Sequence, residues 1–252
     1  MPHLFIGCAG WSIPSASRHL FGEGDSMLAR YATRFNAVEI NSSFYRPHQQ
    51  ATYRRWAQSV PPGFRFSVKL PRAVTHDARL RGTGRELDRF VDEIEGLGRK
   101  LALVLVQLPP SLTFEPRVAS IFFAMLRKRI DAGIACEARH GSWFTPKAAA
   151  LLERHAIARV AADPAVPVPE ARAPGGDPRW RYWRWHGSPR MYYSAYDDAA
   201  LRALADEVRP GGARSRRWIV FDNTAHGHAI PNAVRLQELL QAPVRKRVRG
   251  RA

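Results

Sequence analysis

The protein has 252 residues, 45% of them hydrophobic and 24% charged, and a formal net charge of +17 at pH 7. This composition is typical of a globular domain and excludes a wholly disordered chain, a collagen-like repeat and a coiled coil. No apolar run approaches the roughly 18 residues of a membrane-spanning helix, so no membrane association is expected.

Short β-like runs alternate with helical runs along the chain. Eight strands are predicted, at Leu4–Cys8, Ala37–Asn41, Phe64–Leu70, Leu101–Leu108, Ile134–Glu137, Ala158–Asp163, Trp180–His186 and Trp218–Phe221. Seven helices are predicted, at Asp25–Phe35, Ala51–Ser59, Arg85–Leu97, Pro116–Ile130, Thr145–His155, Asp197–Val208 and Ala229–Leu240. Eight strands alternating with helices in about 250 residues are typical of a (β/α)8 barrel.

A doubly wound open sheet is the main alternative to the barrel. The sequence lacks its phosphate-binding signatures, because GCAGW after the first strand is not GxGxxG and no GxxxxGK[ST] occurs. Five prolines between residues 164 and 178 predict an irregular loop between strands 6 and 7, either a lid over the barrel mouth or a surface excursion. We therefore predict an α/β protein with a single TIM-barrel-like domain of parallel strands over residues 1–243 and a basic, disordered tail over residues 244–252.

Polar residues stand at the carboxyl ends of the predicted strands. On the third strand, Phe66 and Val68 alternate with Ser67 and Lys69, so Lys69 is expected to point into the barrel. The same alternation gives an inward set at the strand ends that comprises Glu39, Lys69, Gln107, Glu137, Asp163, His186 and Asp222. Enzymes with this fold place their active sites at that end of the barrel, so we expect a site there.

The chemistry of this set is mixed. Glu39 and Glu137 are candidates for general acid and base, and Lys69 and His186 are further catalytic candidates. Arginine binds phosphate or carboxylate by bidentate contacts, and each glutamate can equally form a simple ion pair with an arginine. The substrate-binding candidates are Trp11, Asn41, Tyr45, Gln107, Arg139, His140, Trp143, Asp163, Arg184, Asp222 and Asn223. Among them, the aromatic residues can either stack on a ligand or simply fill the barrel top.

A metal site is the less favoured alternative. Glu39, Glu137, Asp163 and His186 are of types that bind Mg, Mn or Zn. The basic residues of the same ring would repel a cation, and no HExxH motif is present. We therefore assign no metal and no cofactor, and expect a small anionic molecule as the partner.

Basic residues dominate the charge of the chain. Lysine occurs five times, so most of the 39 basic residues are arginine, and five basic residues fall between Arg245 and Arg251. Such a tail is either a solvated end or a site of nonspecific attraction to nucleic acid. With only Cys8 and Cys136 and no secretory signal, a reduced, cytoplasmic protein is expected, and nothing in the sequence indicates an oligomeric state.

Several long motifs occur in a fixed order along the chain. They are GCAGW at 7–11, FNAVEINSSFYRP at 35–47, FRFSVKLPR at 64–72, TH at 75–76, LVQLPPSL at 105–112, CEARHGSWF at 136–144, YWRWHG at 182–187 and FDNTAHGHAIPNA at 221–233. Together they resemble the domain-of-unknown-function family 72, also called YecE-like proteins, over residues 4 to 240. The resemblance implies a fold related to the TIM barrel and no established activity. Two departures are Ala138, where the family usually has proline, and Asp222, where it usually has asparagine.

The sequence thus predicts an enzyme that acts on a small anionic or polyhydroxylated substrate by carboxylate general acid/base chemistry at the carboxyl-terminal barrel mouth. Its reaction type is not resolved among hydrolase, lyase and isomerase. The alternative function is that of a nucleic-acid-binding protein or a metal-dependent nuclease, which the positive charge favours.

Overall fold

The computed structural model describes residues 4–209 and 215–241, so the predicted basic tail lies outside the described residues. The strands are β1 (Leu4–Cys8), β2 (Ala37–Ile40), β3 (Arg65–Lys69), β4 (Leu101–Gln107), β5 (Gly133–Glu137), β6 (Ala158–Arg159), β7 (Ala161–Asp163), β8 (Gly175–Gly176), β9 (Trp180–Trp185) and β10 (Arg216–Phe221). The α-helices are α1 (Met27–Tyr31), α2 (Gln50–Gln58), α3 (Gly84–Ile94), α4 (Pro116–Arg127), α5 (Pro146–Arg154), α6 (Asp198–Val208) and α7 (Ala229–Gln241).

The strands form two mostly parallel sheets that together make a TIM-barrel-like fold, as predicted. One sheet has the order β1-β10-β9-β7 and the other β2-β3-β4-β5-β6-β8, in which only β8 is antiparallel. Only Val160 separates β6 from β7, so the chain passes directly from one sheet to the other there. On the opposite side, a single parallel bridge between Ala9 and Glu39 links the end of β1 to β2.

Side chains span the remaining seam between β1 and β2. The Asn36 amide accepts a hydrogen bond from the Ile6 N–H at 3.0 Å and donates one to the Leu4 carbonyl at 2.8 Å. The buried Tyr31 hydroxyl accepts from the Cys8 N–H at 2.8 Å and donates to the Ala37 carbonyl at 3.1 Å. These groups satisfy the backbone that a regular ladder would otherwise pair.

The alternation of each strand separates two apolar layers. Outward residues such as Val38, Ile40 and Phe66 join the larger core cluster beneath the helices. The barrel interior is a second cluster of aliphatic and aromatic side chains, which includes Ala37, Leu103, Leu105, Ala135, Ala158, Val160, Trp180, Tyr182, Trp218 and Val220. The predicted inward and outward faces of β2 and β3 are therefore confirmed.

Several predicted element boundaries are wrong. The first helix covers Met27–Tyr31, and it begins at Met27 because the Ser26 hydroxyl accepts a hydrogen bond from the Ala29 N–H and caps it. Similarly, α3 ends at Ile94, and a 3-10 turn follows in which Gly98 has φ +51°. The predicted sixth strand is divided at Val160, because β6 pairs with β5 whereas β7 pairs with β9.

The proline-rich segment between the sixth and seventh barrel strands is largely irregular, as predicted. It contains a 3-10 turn at Pro169–Arg172 and the short strand β8, which pairs with the edge of β6. In the described part of the chain, no helix is long and apolar enough to cross a membrane.

Candidate functional site

The four predicted catalytic residues lie at the carboxyl ends of the barrel strands. Glu39 belongs to β2, Lys69 ends β3, Glu137 ends β5 and His186 directly follows β9. All four are buried. Strand alternation therefore identified groups that the fold brings together.

Arg184 is the hub of this cluster. Its guanidinium is 1% exposed and donates to Glu39 at 2.7 and 3.0 Å. It also forms ion pairs with Glu137 at 3.1 Å and Asp222 at 2.9 Å. Three buried carboxylates thus surround one guanidinium, which is closed to solvent. Binding of a substrate anion by Arg184 stays a prediction, and in this structure the guanidinium forms the ion pairs with glutamate that were its alternative role.

His186 bridges two of the same carboxylates. Its Nε2 lies 3.0 Å from Glu137 Oε1, and its Nδ1 lies 3.0 Å from Asp222 Oδ2. Burial opposes the charged ring, but Glu137 and Asp222 outweigh it and raise the pKa of His186. An imidazole with a carboxylate on each nitrogen is stabilised as the imidazolium.

Glu137 is held as an anion in spite of its burial. Arg139, Arg184 and His186 together outweigh the desolvation and hold its pKa well below the usual range. Arg139 donates to Glu137 Oε1 at 2.9 Å and to the Tyr192 hydroxyl at 3.3 Å, and its side chain remains 16% exposed. Arg139 is thus the guanidinium of the cluster that solvent can still reach.

Glu39 lies deeper in the barrel and is fully buried. Besides Arg184, it accepts a hydrogen bond of 2.6 Å from the Tyr182 hydroxyl, which lies 3.2 Å from Ser67 Oγ. Strand alternation on β9 points both Arg184 and Tyr182 into the barrel interior. This tyrosine was absent from the predicted site, although its position two residues before Arg184 was the available signal.

Lys69 differs from the other charged groups of the cluster. Its ammonium lies 4.0 Å from the centre of the Phe44 ring, and in the described part of the chain it forms no ion pair or hydrogen bond. Burial and the positive charge of Arg184 lower its pKa to about 8, against the opposing effect of the nearby carboxylates. His76 also contacts Phe44, with ring centroids 4.9 Å apart.

Other predicted polar residues lie outside this cluster. Asp163 binds Arg172 at 2.8 Å and accepts from the Tyr196 hydroxyl at 2.9 Å. Asn223 donates to Ser194 and Asn232, and Gln107 donates to the adjacent carbonyl of Leu108. These residues support the loops around the mouth in this structure.

The predicted aromatic and flanking residues divide into three cases. Trp143 is buried and donates its Nε1–H to the Leu112 carbonyl at 2.9 Å, so in this structure it fills the barrel top, the second of its two predicted roles. His140 caps a short turn by accepting from the Ser142 N–H. Tyr45 is exposed, whereas Trp11 and Asn41 line one cavity of about 420 Å³ at the ends of β1 and β2. Asn41 Oδ1 is buried without a hydrogen-bond partner among the described residues.

The cluster is poorly suited to a divalent metal. Arg184 occupies the space between Glu39, Glu137 and Asp222, and Asp163 is paired elsewhere with Arg172. Among residues 4–209 and 215–241, no three His, Cys, Asp or Glu side chains are arranged to hold a metal ion. The donor set therefore does not fit the metal alternative.

Two curated proteins are similar to part of this chain. The UPF0759 protein YecE of Escherichia coli strain K12 is 30% identical over 144 residues, which cover 56% of this chain and 50% of YecE. The UPF0759 protein YunF of Bacillus subtilis strain 168 is 26% identical over 151 residues, which cover 57% of this chain and 53% of YunF. The matched region spans about half the length of these curated relatives.

Solved structures and a family model match much more of the chain. A DUF72 family protein from Enterococcus faecalis V583 superposes with a TM-score of 0.79 at 20% identity, covering 96% of this chain and 97% of the other. One from Thermotoga maritima MSB8 has a TM-score of 0.78 at 24% identity, covering 95% and 100%. These likenesses show the fold. The family model described as "Protein of unknown function DUF72" matches residues 5–251, and the chain therefore belongs to that family.

Proposed function

We propose that the protein is an enzyme that acts on a small anionic substrate at the carboxyl-terminal mouth of the barrel, with Lys69 as its proton-transfer group. The observation that carries the proposal is the state of Lys69, which is buried, unpaired among the described residues and shifted to a pKa of about 8. A general acid or base works best with a pKa near the operating pH. An ordinary surface lysine lacks this property.

The surrounding carboxylates support a positioning role rather than proton transfer. Glu137 and Asp222 have lowered pKa values because Arg184 and His186 outweigh their burial. Such carboxylates remain ionised at neutral pH and are weak bases. The predicted general-acid role of Glu137 is therefore not supported, and its place in the proposal is to hold Arg139 and His186.

Charge balance favours an anionic substrate. Three carboxylates (Glu39, Glu137 and Asp222) face the cations Arg139, Arg184 and His186, so the ionised network is balanced without Lys69. A protonated Lys69 then adds one positive charge that no partner neutralises. A phosphate or carboxylate group at the mouth would compensate this charge and contact the exposed edge of Arg139.

The pKa of Lys69 can be measured directly. The chain has only five lysines, so a protein labelled with ¹³C and ¹⁵N in lysine gives a simple side-chain NMR spectrum. Lys69→Met identifies the Lys69 signal by its disappearance. We expect that signal to titrate near 8, whereas a value near the ordinary lysine pKa of about 10.4 would remove the basis of the proposal.

Turnover tests the function itself. The protein is incubated with mixtures of small phosphorylated and carboxylated metabolites, and their consumption is followed by mass spectrometry. We expect the wild type and the matched surface variant Arg190→Gln to consume the same compound, and Lys69→Met to leave it unchanged. Arg190 suits the control because it is exposed and its guanidinium stacks on the ring of Tyr193. Equal consumption by Lys69→Met would contradict the role of Lys69.

A further inference from the structure

A second basic site lies at the opposite end of the barrel from Lys69. A cavity of about 630 Å³ opens among the residues that begin the strands, including Arg65 of β3, Gly133 of β5, Trp180 of β9 and Arg216 of β10. The mouth cluster stands at the other ends of the same strands. The cavity is therefore separated from the proposed active site by the packed interior of the barrel.

Arginine dominates the lining of this cavity. The charged residues that line it are Arg65, Arg99, Arg127, Arg179, Arg216 and Asp131. Five guanidinium groups and one carboxylate give the lining a formal charge of +4. Asp177, next to the cavity, offsets one further charge through its 2.9 Å ion pair with Arg179.

Two of these arginines also support the fold. Arg127 donates to the carbonyls of Ile130, Ala132 and Ala156, and Arg65 donates to the carbonyls of Pro62 and Phe64. Carbonyl groups carry no net charge, so these contacts position the guanidinium groups without neutralising them. Burial and the positive charge of Arg179 lower the pKa of Arg127, in keeping with crowding of like charges here. Arg127 Nε is buried without a partner among the described residues.

Arg99 and Arg216 are the accessible arginines of the cavity. Both are exposed, and Arg216 lies 4.9 Å from the ring centre of Trp180, which packs against Gly133. In the described ranges, neither guanidinium has an ion pair or a hydrogen bond. Each therefore retains its five donors for a ligand.

We propose that this cavity binds a small anion that carries two or more phosphate groups. The volume falls within the range of roughly 300 to 1,000 Å³ that is usual for small-molecule pockets and exceeds what one phosphate fills. Forked guanidinium groups match phosphate oxygens in bidentate geometry. The Trp180 ring is buried beneath Arg216, so the cavity offers phosphate contacts rather than an open platform for stacking a base.

Calorimetric titration of the full chain with tripolyphosphate tests the proposal. We expect the double variant Arg99→Gln/Arg216→Gln to weaken binding by about tenfold or more, because two bidentate contacts are lost. The matched control is Arg18→Gln/Arg85→Gln, which removes the same charge from exposed positions outside the cavity. This control is expected to bind within about twofold of the wild type, since distant surface charges are screened.

Three results would overturn the proposal. One is the absence of tripolyphosphate binding by the wild type, and another is an equal loss in both double variants, which would indicate general attraction to a basic protein. The third is binding of a single-stranded oligonucleotide that depends on Arg99 and Arg216 and that tripolyphosphate does not displace. Lys69→Met should leave tripolyphosphate affinity unchanged, so this site and the proposed active site can fail separately.

Discussion

Arg184 and His186 bind the same two carboxylates from neighbouring positions on one face of the barrel. Arg184 lies 3.1 Å from Glu137 and 2.9 Å from Asp222, and His186 lies 3.0 Å from each. Both cations come from the end of β9, whereas the carboxylates come from the ends of β5 and β10. The network therefore fixes the relative positions of three strand ends at the mouth.

Removing Arg184 should destabilise the protein strongly. Arg184→Met keeps much of the side-chain volume but leaves Glu39, Glu137 and Asp222 as buried carboxylates without their main partner. Breaking a buried ion pair in this way costs about 3 to 5 kcal/mol in the free energy of unfolding. Urea denaturation of the wild type and the variant measures this difference.

Arg172→Gln is the matched control for Arg184→Met. Arg172 also forms an ion pair at the barrel mouth, with Asp163 at 2.8 Å, but its side chain is 54% exposed. Asp163 itself is largely buried, but the exposed guanidinium is screened by solvent, so the loss is expected to stay near the upper end of the range of about 0 to 1 kcal/mol for surface pairs. A loss of similar size in both variants would contradict the central role of Arg184.

The contribution of His186 to stability should fall as the pH rises. Its folded-state pKa lies above the unfolded value of about 6.5, so the folded state binds the proton more tightly. The stabilisation is fully present below the unfolded pKa and is lost as the pH passes through the raised, folded-state value. The difference in unfolding free energy between wild type and His186→Gln should therefore shrink as the pH rises above the unfolded value of about 6.5.

His155→Gln serves as the control for this pH dependence. Burial and the charge of Arg154 lower the pKa of His155, which lies 3.0 Å from Ser120 Oγ. For a lowered pKa the sign is reversed, and stability rises with pH until the unfolded value is passed. If both variants showed the same trend, the assignment of His186 as the charged bridge would be wrong.

Alternation predicted which strand residues point inward, but it could not predict what they contact there. Glu39, Glu137 and Arg184 come from three different strands, and the ion pairs between them depend on strand stagger, which no local pattern encodes. The sequence therefore leaves two roles open for Arg184, binding of a substrate anion or an ion pair with a glutamate, and the structure contains the ion pairs. Trp143 shows the same limit, because its burial follows from packing of a loop against Leu112.

The side-chain hydrogen bonds that join β1 to β2 could not be predicted from the sequence either, because they also depend on tertiary contacts. Asn36 and Tyr31 belong to a loop and a helix, and nothing local indicates that their side chains substitute for backbone pairing. The barrel itself was predictable, since the count of strand–helix units and the period of each strand are local properties. The ion pairs at the mouth and the contacts between β1 and β2 depend instead on tertiary structure.

The close approach of β1 to β2 leaves no room for a side chain at Gly7. A Cβ atom at this position would lie 2.0 Å from the Ala37 carbonyl oxygen and 2.9 Å from the Tyr31 hydroxyl. The first of these atoms is backbone, so β1 and β2 would have to separate to accept even one methyl group. We expect Gly7→Ala to destabilise the protein by about 3 kcal/mol or more, through overpacking and through loss of the buried Tyr31 hydrogen bonds.

Gly63→Ala provides the comparison for Gly7→Ala. A Cβ atom there meets nothing within 4 Å, so the substitution adds a methyl group at an unhindered position. Loss of glycine's freedom in the unfolded chain gives an expected change between zero and a gain of about 1 kcal/mol. Thermal and urea unfolding of the two variants measure the contrast. A Gly7→Ala protein as stable as Gly63→Ala would show that the β1–β2 seam is wider than the contacts of Asn36 and Tyr31 indicate.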